Sequence, residues 1–209
     1  VLLKSRPAQM LFRFVRNNMD TKITTFIQRI NPLPNDVLED VISYFQHLEY
    51  PKNYFLLKQG RPCKYIWFLV RGAVRYLYAD VEGKESNVWF SFDNDVVTDA
   101  PSFVSQKPSN ESIQLIEDSE LYGIEYNQIQ NLLQKHHSFA LWYIKLVEKH
   151  YVSQIEDRIA DLQFLSAKQR YEKLLTQFPN ISNRINLGHI ASYLNITQET
   201  LSRIRAGKL

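Results

Sequence analysis

Apolar residues change their spacing twice along the chain. Near the start, Val37, Leu38, Val41, Ile42 and Phe45 recur at intervals of three and four, the stripe of an amphipathic helix. Asn35 stands where an N-cap is wanted, and Pro32 and Pro34 break whatever precedes it. Helix is therefore expected over residues 21–46. From Tyr54 to Tyr126 the texture becomes short apolar runs separated by turn signals. Runs at 54–57, 65–70, 73–78, 87–92, 96–97, 113–116 and 121–124 are expected strands. Gln59-Gly60, Arg71-Gly72 and the hairpin-like Asp80-Val81-Glu82-Gly83-Lys84 punctuate them. Such regular spacing predicts an antiparallel β-barrel or roll.

Helical spacing returns at Asn127. A short helix is expected over 129–134 and a long one over 138–165. On the long one, Ile144, Val147, Tyr151, Ile155, Ile159 and Leu162 form one apolar stripe, with no Gly or Pro to interrupt it. At about 1.5 Å per residue it outruns a roll of this size. An apolar stripe that outruns its own domain meets a second copy, which makes these six residues the candidate dimer interface. The alternative is a helix packed wholly within its own chain. A further helix is expected over 166–177, stopped by Phe178-Pro179-Asn180. The class is α+β, with no internal repeat.

The tail carries the most specific pattern. Over Leu187 to Arg205, Ile190 and Leu194 are apolar at i, i+4, and Leu201 and Ile204 at i, i+3. Ala191 is small where two helices would cross, and Ile196 can plug the junction. Asn195 suits a left-handed turn position. Thr197 is a good N-cap. Together they predict helix, tight turn, helix. The second helix would present Thr197, Gln198, Glu199, Thr200, Ser202 and Arg203, several of which can read base edges. Arg205 and Lys208 lie further along, placed for phosphate. A plain helical hairpin with solvated charges is the alternative.

Charge sharpens this reading. The 209 residues carry a net +3, which averages unlike parts: +4 on residues 1–18, −6 on 19–165 and +5 on 166–209. The basic surplus of the tail sits where binding to a polyanion would need it. Residues 1–18 are basic without an acid, and Met19 offers a second start. They read as an upstream extension or as a basic arm. No apolar run approaches the roughly 18 residues of a membrane span. The single cysteine, Cys63, excludes a disulfide framework within one chain and fits a reducing compartment. No Ser/His/Asp order, metal-spaced His pair or phosphate-cradling glycine loop supports an enzyme. Asp93, Asp95 and Asp99 read as a solvated acidic loop. No cofactor or metal is expected.

A roll, a long helix and a C-terminal helix-turn-helix in that order resemble the Crp-Fnr superfamily of bacterial transcription regulators. In the roll the resemblance rests on Leu56-Leu57-Lys58-Gln59-Gly60, on Tyr65 to Gly72 and on Asp80 to Glu85; Gly60 and Gly72 match recurring turn glycines. In the tail it rests on Ile196 to Ile204, similar to the recognition helix, and puts Gln198, Glu199 and Arg203 on base-reading positions. The resemblance implies a cyclic-nucleotide-binding-like jelly roll with flanking helices over 19–137. It further implies a dimerisation helix over 138–165 and an all-α helix-turn-helix domain over 166–209. It implies a homodimeric, cytoplasmic DNA-binding regulator, with double-stranded DNA, a small-molecule effector and RNA polymerase as partners. The rival reading is a ligand-binding module without DNA function.

Two departures from the family pattern stand out. The ligand stretch holds Thr98, Asp99, Lys107, Ser109 and Asn110. Asp99 can stand in for a ribose-binding acid, but Ser109 and Asn110 occupy the Arg-Ser positions that grip a cyclic phosphate. Without a guanidinium there, cyclic AMP loses its bidentate partner, and only Lys107 could compensate. Oxygen-sensing cysteines and a haem ligand are missing too. His136, His137 and His150 read as surface or packing residues, and Cys63 as a half-buried small residue. The second departure is the wing that usually follows the recognition helix: the sequence stops at Leu209, so either a short form lacking the wing or a chain cut before it is expected.

Overall fold

The computed structural model describes residues 21–149 and 153–208, and side chains 153–156 lie outside the description. Helices α1 (residues 21–30) and α2 (Asn35–Ser43) precede eight strands. These are β1 (Gln46–Tyr50), β2 (Phe55–Leu57), β3 (Tyr65–Arg71), β4 (Val74–Ala79), β5 (Glu85–Ser91), β6 (Asp95–Val97), β7 (Ser112–Leu115) and β8 (Ser119–Glu125). Helix α3 (Ala100–Ser105) interrupts them between β6 and β7. The seven expected strands correspond to β2–β8. The expected helix over 21–46 ends early, because Gln46 opens β1, a strand the apolar pattern does not announce. Pairing decides it: β1 runs antiparallel to β8, with Gln46 opposite Gly123 and Tyr50 opposite Ser119. Asn35 is the first residue of α2 and not its cap. Pro34 holds that place with extended backbone, and its carbonyl accepts Leu38 N–H at 2.8 Å.

The strands form two four-stranded antiparallel sheets, ordered β1-β8-β3-β6 and β2-β7-β4-β5. This is a jelly-roll-like arrangement. The β4–β5 hairpin turns at Asp80, whose Oδ1 accepts the N–H groups of Glu82 and Lys84 at 3.0 and 2.9 Å. Gly72 is required where β3 passes to β4. Its φ is +132°, and a Cβ there would lie 2.1 Å from Ser119 Oγ.

Helices close the ends of the roll. The core between the sheets joins Ile23 and Ile27 of α1, Val41 of α2, and Phe139 and Trp142 of α5 (His137–Val147). A capping box of Glu125 and Gln128 opens helix α4 (Tyr126–Lys135), which leads into α5. Trp142 is 2% exposed, and its indole N–H donates to the Ile27 carbonyl at 2.9 Å. Truncating such a residue costs about 3–5 kcal/mol.

The single helix expected over 138–165 is described as two, α5 and α6 (Ser153–Phe164). Residues 150–152 between them lie outside the described residues, as do residues 1–20. The tail then runs through α7 (Ala167–Gln177), α8 (Ile181–Arg184), α9 (Leu187–Tyr193) and α10 (Gln198–Arg205). Ser166 caps α7, its hydroxyl oxygen accepting Gln169 N–H at 3.3 Å. The tail has its own core, including Leu174, Ile190, Leu194, Leu201 and Ile204, which continues onto Ala73, Phe90 and Phe92 of the roll.

Candidate functional site

The two sheets, α3, α5 and α6 line an open-sided cavity of about 740 Å³. Of the five predicted pocket residues, Thr98, Asp99 and Asn110 line it. Asp99 is 6% exposed because it caps α3, accepting Ser102 N–H at 3.2 Å through Oδ1. Ser109 is buried behind it, its hydroxyl against Asp99 Oδ2, and accepts Glu111 N–H at 2.9 Å. Lys107 does not join them. Its side chain is exposed and lies outside the cavity lining, because Pro108 and the short β-bridge at Pro62 fix the chain there.

The rest of the lining was not singled out in the sequence. Tyr76 and Tyr78 of β4, Trp89 of β5, Phe103 of α3 and Tyr143 of α5 supply aromatic wall. Glu111 supplies a second carboxylate beside Asp99. Burial, and then the Asp99 charge, push its pKa up to about 7. Arg158 of α6 also lines the cavity, but its guanidinium is engaged. It stacks 3.8 Å from the Tyr193 ring centroid and donates to the Tyr193 carbonyl. Burial pulls its pKa down. Tyr76 and Tyr78 stand two apart on β4 and so share one face of the sheet, which is the signal that could have found them.

Cys63 is fully buried, not half-buried, since β3 and α3 close over it. Its thiol donates to the Tyr65 carbonyl at 3.3 Å, and burial raises its pKa. His136 Nε2 lies 2.7 Å from Asp40 Oδ2, a packing arrangement, and His150 lies outside the described residues.

In the tail, α9 and α10 are joined by a turn at Asn195, whose φ is +54°. Ile196 N–H donates back to the Ala191 carbonyl at 3.0 Å. Thr197 caps α10, accepting Thr200 N–H at 3.2 Å. Ile190, Ala191, Leu194, Leu201 and Ile204 are buried, as their spacing predicts. Gln198, Glu199, Ser202, Arg203, Arg205 and Lys208 are exposed along α10 and its end; Thr197 is exposed and Thr200 half-buried. Gly207, at φ +66°, ends the helix, with Lys208 N–H donating to Arg203 O at 3.0 Å.

The tail is fastened to the roll. Asn87 N–H donates to Ser192 Oγ at 2.8 Å, and Arg75 NH1 lies 3.0 Å from His189 Nδ1. Arg184 reaches Asp93 at 2.8 Å, Glu117 at 2.7 Å and the Gly72 carbonyl at 2.8 Å. On α5 and α6, Ile144, Val147, Ile159 and Leu162 remain between 37% and 51% exposed despite being large and apolar. Tyr151 and the Ile155 side chain lie outside the described residues.

Residues 47–136 match the cyclic nucleotide-binding domain family. No curated protein matches the chain in sequence. Solved structures share the fold across the roll and the tail. FixK2 from Bradyrhizobium japonicum aligns at TM-score 0.66 and 18% identity, covering 78% of this chain and 83% of its own. A protein from Eubacterium rectale assigned to the crp/fnr family of transcriptional regulators aligns at 0.66 and 17%, covering 84% and 83%. The c-di-GMP responsive global regulator CLP of Xanthomonas campestris aligns at 0.61 and 15%, covering 83% and 91%. The fold is thus a cyclic nucleotide-binding-type roll followed by C-terminal helices, as in these solved structures. Among the described residues no helix is long and apolar enough to cross a membrane.

Proposed function

We propose that the chain is a sequence-specific DNA-binding transcription regulator of the Crp-Fnr type, acting as a homodimer in the cytoplasm. The observation that carries this is the exposed polar face of α10, set on a buried apolar face that fixes its angle to α9. In this reading α9 and α10 are a helix-turn-helix, and α10 enters the major groove. Arg203 suits guanine, Gln198 suits adenine, and Glu199 accepts from cytosine. Arg205 and Lys208 hold phosphate. The exposed apolar residues of α5 and α6 pair two copies, which sets the distance between their recognition helices. The roll is the sensor, and a ligand in its cavity acts by favouring one arrangement of the pair.

Fluorescence anisotropy with a mixed-sequence duplex over a salt series tests the polyanion claim. Affinity should fall steeply with salt, by a log–log slope of about −0.9 for each phosphate engaged. Absence of salt-dependent binding would leave a ligand-binding module without DNA function.

A further inference from the structure

The cavity in the roll has an unusual polarity. Its walls are aromatic, from Tyr76, Tyr78, Trp89, Phe103 and Tyr143. Its charged groups are Asp99, Glu111 and Arg158. Arg158 is turned to the Tyr193 ring and carbonyl. Lys107 points outside. Asp99 is held by the α3 N-terminus and Ser109, and keeps both oxygens occupied. The Glu111 side chain differs: among the described residues it makes no hydrogen bond or ion pair. A half-buried carboxylate with no partner among the described residues thus faces an aromatic chamber large enough for a small molecule.

An anionic ligand fits this poorly. A cyclic phosphate would meet two carboxylates, while the one guanidinium among the described lining residues, that of Arg158, is turned to Tyr193. A cation meets the opposite situation. It gains from both carboxylates and from the negative faces of the surrounding rings. The aromatic walls reward an apolar body attached to that charge.

We infer that this cavity binds an apolar monocation, an aromatic primary amine in its simplest form, with the ammonium at Glu111 and the apolar body among the rings. This rests on the reading of the roll as a sensor and names its ligand class. Glu111 is the residue that separates cations from neutral molecules of the same shape. Asp99 is a positioning residue, since its oxygens are committed to α3 and Ser109.

Isothermal titration of the full chain with tryptamine, its neutral analogue tryptophol and cyclic AMP tests the inference. Tryptamine should bind roughly tenfold tighter than tryptophol. Cyclic AMP should show no saturable binding up to about 10 mM, the range of weak ligands. Glu111→Gln should bring the two indoles together, and Glu111→Asp should keep part of the preference. In the wild-type chain tryptamine affinity should rise from mildly acidic to mildly alkaline pH as Glu111 ionises, while tryptophol affinity stays flat. That profile needs no variant and stands if Glu111→Gln fails to fold. Equal affinity for the two indoles, no tryptamine binding, or cyclic AMP binding as tight as tryptamine would overturn the inference. DNA binding measured on the same preparation separates the two readings. DNA binding without amine binding sinks only the ligand class, and amine binding without DNA binding sinks only the regulator.

Discussion

Arg75 NH1 of β4 lies 3.0 Å from Nδ1 of His189 on α9, across the seam between roll and tail. Arginine nitrogens only donate, so Nδ1 accepts and the ring proton sits on Nε2. The Asn87 amide approaches the same nitrogen at 3.3 Å. Arg75 is 7% exposed; the same nitrogen pairs with Glu85 at 2.7 Å, and its Nε donates to Gln114 at 2.8 Å. The seam is therefore built around a neutral His189. A proton on Nδ1 would turn the acceptor into a donor facing a guanidinium.

This gives the seam a pH dependence of definite sign. Burial, and then Arg75, hold the His189 pKa below its usual 6.5, with Glu85 acting the other way. The neutral form is favoured in the docked state. Its contribution is complete above the usual histidine range and is lost as pH falls through the lowered value. Amide exchange in α9, corrected for intrinsic rates, should speed up at mildly acidic pH. In His189→Gln that change should flatten. Protection of α9 that does not vary with pH would contradict the assignment.

Arg184 is the second fastening. One guanidinium joins Asp93, Glu117 and the Gly72 carbonyl, and both carboxylates belong to the roll. These are charge-assisted bonds on a side chain about a quarter exposed, so solvent discounts them. Arg184→Ala should cost about 1–2 kcal/mol of stability. Urea unfolding followed by the fluorescence of Trp67, Trp89 and Trp142 measures it. Wild-type stability would mean that Arg184 does not fasten the tail.

Much of this molecule is legible in the sequence, for physical reasons. The strands β2–β8 show because turn residues such as Gly72 and Asp80 bound them. The α9–α10 pair shows because its cap, left-handed Asn195 and apolar spacing are all local signals. What does not show is set by distant partners. Strand β1 exists through its pairing with β8, and its sequence runs on from a helical stripe. Helix α3 is too short to carry a period. The cavity lining is drawn from β4, β5, α3, α5 and α6, so nothing in the local pattern joins Glu111 to Trp89 or Tyr143. The Arg75–His189 contact spans 114 positions and has no sequence signature.

The exposed apolar residues of α5 and α6 predict association. Leu162 is 42% exposed and lies outside the cavity lining. Leu162→Asp should shift sedimentation from dimer towards monomer with little effect on the fold of one chain, because a charge on a desolvated seam is costly. A variant that still sediments as a dimer at low concentration would remove this face from the interface.

Arg203 and Arg205 should separate base reading from phosphate holding. Arg203→Ala should cost about 1–3 kcal/mol at the preferred site and relax the choice at one base pair. Arg205→Ala should weaken all sequences alike and lower the salt slope by about one. Competition binding with single-base site variants distinguishes them. An unchanged preference in Arg203→Ala would take that residue off the base edge.

Selection of bound duplexes from a random pool, with the full chain and with Arg203→Ala in parallel, tests the regulator most directly. The account predicts enrichment of two related half-sites in inverted order, with centres about 34 Å apart along the DNA. It also predicts that Arg203→Ala loses the choice at one symmetric position in each half-site. A pool that emerges without an enriched sequence, or a site unchanged by Arg203→Ala, would contradict it.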